Sequence, residues 1–442
     1  MEIIPIILII LICAALLLGY PVAFTLAGTS ILFAILGISL DFFDPNLFKT
    51  LPMRIFGIMN NQTLLAVPLF VFMGVILEKS GIAAKMLRDM AMVFRNTNSG
   101  LSISIIIVGA LLAASTGIVG ATVVTMGLMS LPAMLKQGYE KDFASGLVAS
   151  TGTLGQIIPP SIALVLLGDV MSNAYQRAQN NMGVFSQETV SVGDLFVGAI
   201  VPGLMIVVGY LIYTIIINRK KEFIRSEEID GETNILKTLF PPAALIFVVL
   251  GSIIAGIATP TEAAGVGAFG ALIIAGLNGG ANLELLRATS YKAATVTTMI
   301  FSILIGASIF SLIFRGVGGD LLVDQIFEMI PGGKYTALLF ILIAIFLFGF
   351  ILDFIEICYV IIPLVAPPLL MMGFDPVWLG ILMAINLQTS FLTPPFGFSL
   401  FYLRGVADQS IKTTDIYKGV IPFIVIQLAV LLLVIIFPSL IL

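Results

Sequence analysis

Two Pro-Pro pairs interrupt otherwise apolar segments, at Ile158-Pro159-Pro160-Ser161 and Thr393-Pro394-Pro395-Phe396. Proline lacks a backbone donor and its ring clashes with the preceding turn, so neither segment can run on as one regular helix. The pairs stand equally far downstream of Pro132-x5-Gly138 and Pro367-x5-Gly373, and one offset of 235 residues superimposes all four points. Leu135 with Leu370, Leu147 with Leu382 and Ala149 with Ala384 coincide at that offset without a gap, which shared prolines alone would not require. Earlier in the halves the agreement is poorer, although Pro21-x6-Gly28 matches Pro260-x6-Gly267 at an offset of 239. The chain therefore reads as a duplication in which each half carries one interrupted helix.

That helix must lie in a bilayer. With 59% hydrophobic and 10% charged residues over 442 positions, there is too little polar surface to coat a soluble globule. Segments such as Ile3 to Leu18, Phe240 to Ile257, Tyr335 to Leu352 and Ile421 to Phe437 are about long enough to cross ~30 Å of hydrocarbon. The alternation of porin strands is absent, so an all-α polytopic membrane protein in contact with lipid is expected. Met1-Glu2 offers no positive n-region and no A-x-A cleavage site follows, so the first twenty residues are read as a retained helix. Cys13 and Cys358 lie in apolar runs and there is no His, which argues against disulfides, transition metals and His-based catalysis.

Lys and Arg placement orients the spans. Lys79, Lys85, Arg88 and Arg95 cluster, as do Lys136 with Lys141, Arg219, Lys220 and Lys221 with Arg225, and Arg404 with Lys412 and Lys418; these are expected on the cytoplasmic side. Asp41 to Asn61 and the long polar stretch Asp169 to Asp194 are expected outside, as are both termini. The threading works only if 99–135 and 335–371 each enter and leave on one side as re-entrant hairpins. Two inverted-topology repeats follow, 1–217 and 238–442, joined by a basic cytoplasmic linker at 218–237, with broken helices at about 142–168 and 376–404.

A helix that stops inside hydrocarbon leaves unpaired N–H and C=O groups, so it persists only where protein, water or an ion completes them. The first break is read at Thr151-Gly152-Thr153-Leu154-Gly155-Gln156 and the second at Asn386-Leu387-Gln388-Thr389-Ser390, followed by Thr393. Carbonyls, hydroxyls and carboxamides are ligands for a hard monovalent cation, and sodium fits them. The hairpin tips offer the other half of each site: Ser115 to Thr122, including Thr116, Gly117, Gly120 and Thr122, and Asp353-Phe354-Ile355-Glu356. Asp353 and Glu356 share a face if the tip is helical. An acid at membrane depth points to an ion or substrate ligand, the plainer reading being a helix cap. Close helix packing is expected of Gly109, Gly127, Gly146 and Gly251, a helix-start cap of Glu262, and snorkelling of Arg315 and Arg404.

These residues resemble a family, the large membrane (M, DctM-like) subunit of tripartite ATP-independent periplasmic (TRAP) transporters, over nearly the whole chain. The likeness is carried by Leu131-Pro132-Ala133-Met134 with Gly138-Tyr139, Gly155-x2-Ile158-Pro159-Pro160-Ser161, Val201-Pro202-Gly203, Thr259-Pro260-Thr261-Glu262-Ala263-Ala264, Asp353 and Thr393-Pro394-Pro395. The resemblance implies an elevator-type carrier of the bacterial inner membrane, akin to the ion transporter superfamily, importing a small organic acid with sodium ions as coupling ions and no other cofactor. Implied partners are a small four-helix membrane subunit (Q type) and a periplasmic substrate-binding protein (P type); no nucleic acid is expected. By position, the first hairpin tip with Thr151 to Gly155 would form one sodium site, and Asp353 to Glu356 with Asn386 to Ser390 a second. Substrate would lie between them, near Thr116, Ser161, Asp353 and Thr393. Many members carry Ser-Gly-Ser where this chain reads Thr116-Gly117-Ile118, one hydroxyl fewer. The 173–192 stretch resembles an enlarged external loop.

Two other readings compete. A stand-alone sodium-coupled carboxylate carrier with the same repeat would need neither partner. An intramembrane enzyme would need a catalytic pair or a nucleotide motif, and no Walker signature or aspartate-rich motif is present.

Overall fold

The computed structural model describes residues 3–219, 221, 235–280 and 282–441, and the regular structure among them is helical. The first half holds α1 (Ile3–Leu16), α2 (Val22–Ser39), α3 (Leu51–Met59), α4 (Ala66–Lys79), α5 (Ile82–Val93), α6 (Gly100–Thr116), α7 (Val119–Lys136), α8 (Lys141–Thr153), α9 (Ile162–Asn181) and α10 (Val192–Asn218). The second holds α11 (Ile235–Thr238), α12 (Phe240–Ile254), α13 (Pro260–Leu277), α14 (Leu283–Gly316), α15 (Gly319–Met329), α16 (Lys334–Phe348), α17 (Phe354–Glu356), α18 (Ile362–Met371), α19 (Pro376–Leu392), α20 (Phe398–Val406) and α21 (Thr413–Ile436). Seven described helices are long and apolar enough to cross a membrane, and an eighth span results if the two segments bent by 50° on either side of residues 60–62 count as one.

Helix starts follow local chemistry. Thr259 and Glu262 form a reciprocal capping box ahead of α13, Ser191 and Asp194 one ahead of α10, and Asp375 caps α19 with Pro376 in its first turn. Three expected spans come out shorter. α1 stops before Gly19 (φ +80°) and α12 before Gly256 (φ +66°), left-handed positions that end a helix, while α16 stops at Gly349. At 14 or 15 residues these reach only about 22 Å; α21, with 24, has the length to span.

The segment 99–135 is a helical hairpin, α6 turning into α7 through Gly117-Ile118. Its open ends lie together, since the Tyr139 hydroxyl donates to the Asn98 carbonyl at 3.4 Å. In 335–371, α16 leads through residues 349–353 into α17, a π-helical turn (Ile357–Ile361) and α18. There too the ends meet: the Tyr335 and Phe374 rings sit 5.6 Å apart, with the Lys334 ammonium 5.0 Å from the Phe374 centroid.

Each hairpin is followed by an interrupted helix. α8 runs through a 3-10 turn (Leu154–Gln156) to non-helical residues before α9, and α19 ends at Leu392 before α20 resumes at Phe398. Pro159-Pro160 and Pro394-Pro395 are cis. The breaks therefore fall a few residues beyond the positions expected. Thr151 to Thr153 and Asn386 to Ser390 are still helical, because a proline forbids helix only from about one turn upstream. The expected loop at 173–192 is helical as far as Asn181, and its remainder folds back onto α9 through paired bonds between Gln179 and Glu188, each 2.8 Å. Much of the linker 218–237 lies outside the described residues.

One large core joins both hairpins and both interrupted helices, and a smaller one joins α1, α2 and the end of α14 through Leu8, Leu26, Phe33, Phe310 and Phe314. α14 lies against α2 and α4, and α13 against α4 and α12. Of the glycines expected at tight contacts, Gly146 crosses Gly419 of α21, while Gly109 and Gly127 meet side chains; Gly251 instead faces open space, with nothing within 4 Å of an added Cβ. The two arginines expected to snorkel are held by protein: Arg404 donates to the Ile411 carbonyl, and Arg315 Nε stands 3.8 Å from Asp320.

Candidate functional site

The first hairpin turns at Gly117, whose φ of +58° is a left-handed value that favours glycine. A Cβ there would also stand 2.6 Å from the backbone nitrogen of Ile162, so the tip presses on the restart of the interrupted helix. Thr116 and Thr122 share a hydrogen bond of 2.7 Å, and their hydroxyls also reach the Leu112 and Ile118 carbonyls at 3.0 and 3.1 Å. α4 comes close to this tip, because a side chain on Gly74 would meet the Ser115 carbonyl oxygen at 2.6 Å.

In the first interrupted helix, Gly152 packs on Val123 of α7 and Gly155 approaches the Ala113 carbonyl of α6, while Gly120 of α7 accommodates the Tyr402 ring of α20. Thr153 donates to the Ser150 carbonyl at 2.8 Å, and the buried Thr151 hydroxyl has no partner. Ser161 donates to the Gly155 carbonyl at 2.6 Å, satisfying an acceptor that the broken helix would leave free.

At the second tip, Asp353 caps α17. The Glu356 N–H donates to Asp353 Oδ1 at 3.0 Å and the Asp353 N–H to Glu356 Oε2 at 2.9 Å. The two acids are thus tied by a capping box, the plainer of the two sequence readings, and only Asp353 also reaches a cavity wall.

Beyond it, Asn386 Nδ2 donates to the Leu342 carbonyl at 2.8 Å and Ser390 Oγ to the Phe346 carbonyl at 2.7 Å, fixing α19 to α16. Thr389 and Thr393 donate to the Ile385 and Thr389 carbonyls at 2.8 and 2.7 Å. Gln388 is fully buried, and among the described residues neither end of its amide has a partner. Ser399 closes this break as Ser161 closes the other, donating to the Phe391 carbonyl at 2.9 Å.

Thr116, Gly117, Gly120 and Asp353 line one cavity of about 580 Å3 between the two tips, within the size range of small-molecule sites. Thr122, Thr151, Gly152, Thr153, Gly155, Ser161, Glu356, Asn386, Gln388, Thr389, Ser390 and Thr393 lie off its wall, though several pack directly behind it. The remaining wall includes Glu78 and Lys79 of α4, Lys292 of α14, Tyr402 of α20 and Gln156. Sequence alone uses Lys79 only as a topology marker, reads Gln156 only as the end of the first break, and gives Lys292 and Tyr402 no role. Lys292 carries a readable signal, a cation ten residues into a 34-residue helix apolar enough to span.

The DctM component of the tripartite ATP-independent periplasmic transporters matches residues 9–440. The chain is 30% identical to the C4-dicarboxylate TRAP transporter large permease protein DctM of Rhodobacter capsulatus, covering 97% of this chain and 96% of that one. It is 27% identical to the sialic acid TRAP transporter large permease protein SiaM of Vibrio cholerae, covering 95% and 93%. Among solved structures, the YdaH transporter of Alcanivorax borkumensis aligns with a TM-score of 0.63 over 89% of this chain and 88% of that one at 13% identity, a likeness of fold. With its several apolar spans, this is a multi-pass protein of the bacterial inner membrane and a secondary-transporter subunit, not an enzyme. The chain belongs to the large permease (DctM) family of TRAP transporters.

Proposed function

We propose that the chain is the sodium-driven permease of a three-part importer, carrying a small organic acid delivered by a periplasmic binding protein and working with a small four-helix membrane subunit. The observation that carries this reading is the cavity between the two hairpin tips, in a chain whose family is established. Its polar wall joins Thr116 and Gln156 from the first half to Asp353 from the second.

Sodium would sit behind that wall, where the interrupted helices gather neutral oxygens. A hydroxyl that donates to a carbonyl keeps lone pairs for a cation, which is the condition of Thr153, Thr389 and Ser390. Thr151 and Gln388 add oxygens that have no partner among the described residues. The donor set therefore suits a hard cation. The halves 1–217 and 238–442 would be inverted repeats with both termini periplasmic, and the hairpins with α8, α9, α19 and α20 would move as one body against α4, α13 and α14. What supports this division is the same order of hairpin and interrupted helix in each half, every break closed by a serine.

The test is uptake into proteoliposomes containing the permease, the small subunit and the binding protein, with sodium compared against potassium. Import that requires the binding protein and collapses in potassium is expected. Uptake indifferent to sodium would defeat the coupling, and full uptake by the permease alone would favour a stand-alone carrier.

A further inference from the structure

The second half of α9 presents Asp169, Asn173 and Arg177 at four-residue intervals, and so on one face. Two of these side chains bond outside the body to which α9 is assigned above. Asn61 Nδ2 donates to Asp169 Oδ1 at 2.8 Å, and Arg177 meets Asp320 Oδ2 at 2.6 Å, while the other oxygen of Asp320 stands 3.8 Å from Arg315 Nε at the end of α14. Asn61 is itself held. Its Oδ1 accepts from the Thr63 N–H at 2.9 Å, and the neighbouring Gln62 carbonyl accepts from the Thr261 hydroxyl of α13 at 2.7 Å. Asn173, between the two contacts, turns back on its own helix and donates to the Asp169 carbonyl at 2.8 Å. Asn61 precedes α4, a 14-residue helix about 21 Å long whose far end brings Glu78 and Lys79 to the cavity.

We infer that the Asn61–Asp169 and Arg177–Asp320 contacts form a latch between α9 and the static helices, which holds the arrangement seen here and opens in each transport cycle. The inference rests on the import reading and on the division into moving and static bodies proposed above. Bonds within the moving body are of another kind: Asn386 and Ser390, 3% and 0% exposed, donate to backbone carbonyls of α16. Separating those would strand buried polar groups. The latch instead joins side chain to side chain, and Arg177 and Asp320 are 27% and 39% exposed, so water can take over both when they part. Contacts of that strength bias an equilibrium without freezing it. Asn61, Asp169 and Arg177 belong to the two stretches expected on the outer side, so the latched end is the one from which the acid would arrive.

Distances between spin labels test this without depending on transport. In the full chain carrying Cys13→Ser and Cys358→Ala, labels on N173C and L321C report the separation of α9 and α15 in lipid nanodiscs while leaving all four latch residues in place. A main short distance and a minor longer one are expected. The ratio of long to short should rise about threefold in D320N and about tenfold in N61A/D320N, the latter corresponding to about 1.4 kcal/mol, and the exchanged pair R177D/D320R should bring it back towards the parent. An unchanged distribution would overturn the latch, and so would a single distance that merely broadens, since that is local loosening rather than a second arrangement. A second arm joins R177C to D320C with a short, reducible bis-methanethiosulfonate reagent in proteoliposomes holding the small subunit and the binding protein, with succinate and lactate as probes. Uptake should fall tenfold or more on cross-linking and return on reduction. Import that persists through the cross-link would overturn the latch and leave the import reading intact. A second distance that responds to D320N in a chain that imports neither probe would support the latch and count against the import reading.

Discussion

Asp353 can be a cap, a ligand or both, and two substitutions separate these roles. Its side chain accepts a backbone hydrogen bond from Glu356 N–H at 3.0 Å, and Glu356 is 6% exposed, so that N–H has little access to water. Asn caps helices about as well as Asp, whereas replacing a capping residue with Ala costs about 0.5–2 kcal/mol. Leaving a buried N–H unpaired costs about 1–3 kcal/mol by a separate estimate of the same loss. D353N should therefore melt within about 1 °C of the parent in detergent, and D353A should lose about 1–2 kcal/mol. The charge reads out differently. A carboxylate 4 Å from a monovalent cation at an effective dielectric near 20 contributes about 4 kcal/mol as an upper bound, and part of that already goes to the cap. A tenfold to hundredfold weaker sodium dependence of uptake is expected in D353N, with D353A no better. Uptake and sodium dependence in D353N equal to the parent would make Asp353 a cap and nothing more.

Gly117→Ala should destabilise by about 1–2 kcal/mol for its left-handed backbone and by about 1–3 kcal/mol more for the clash with Ile162, seen as a fall in melting temperature together with lost uptake. Gln427 Nε2 donates to the Tyr210 hydroxyl at 2.6 Å where both side chains are fully buried. Y210F and Q427L should each cost about 1 kcal/mol, and the double variant should cost less than their sum, as a double-mutant cycle on melting would report. Arg177 of α9 meets Asp320 of α15 at 2.6 Å, with side chains 27% and 39% exposed. D320N should cost 1 kcal/mol or less and less still in high salt; a larger loss would mean the pair braces α9 rather than merely meeting α15.

What was legible in the sequence was whatever steric rules dictate. Proline pairs announce where a helix cannot continue, and a glycine between apolar runs announces a tight turn, so the positions of Pro159-Pro160, Pro394-Pro395 and Gly117 needed no packing information. Thr259 and Glu262 were legible as a cap because the spacing of a capping box is local. Helix extent was less so: α9 runs on to Asn181 through polar residues because Gln179 and Glu188 pair across the following turn. The α4 and α14 wall of the cavity was not legible at all. Lys79 and Lys292 are more than two hundred residues apart, and nothing local says that their helices pack together.

Hydrogen bookkeeping then sorts the candidate residues by the sign of charge they can receive. Ser161 and Ser399 donate across the breaks to carbonyls of the helix ends, so each break satisfies one of its acceptors from within the chain. Thr153, Thr389, Thr393, Ser390 and Asn386 likewise donate to backbone carbonyls. Side chains so committed present lone pairs and few hydrogens, which suits them to a cation rather than to a carboxylate. On the proposed reading the cation would sit behind the cavity wall and the acid within the cavity, whose wall includes Thr116 and Asp353 of the hairpin tips. Coupling would then need no residue that binds both, since an ion that fixed the tips would also fix the shape of the cavity between them.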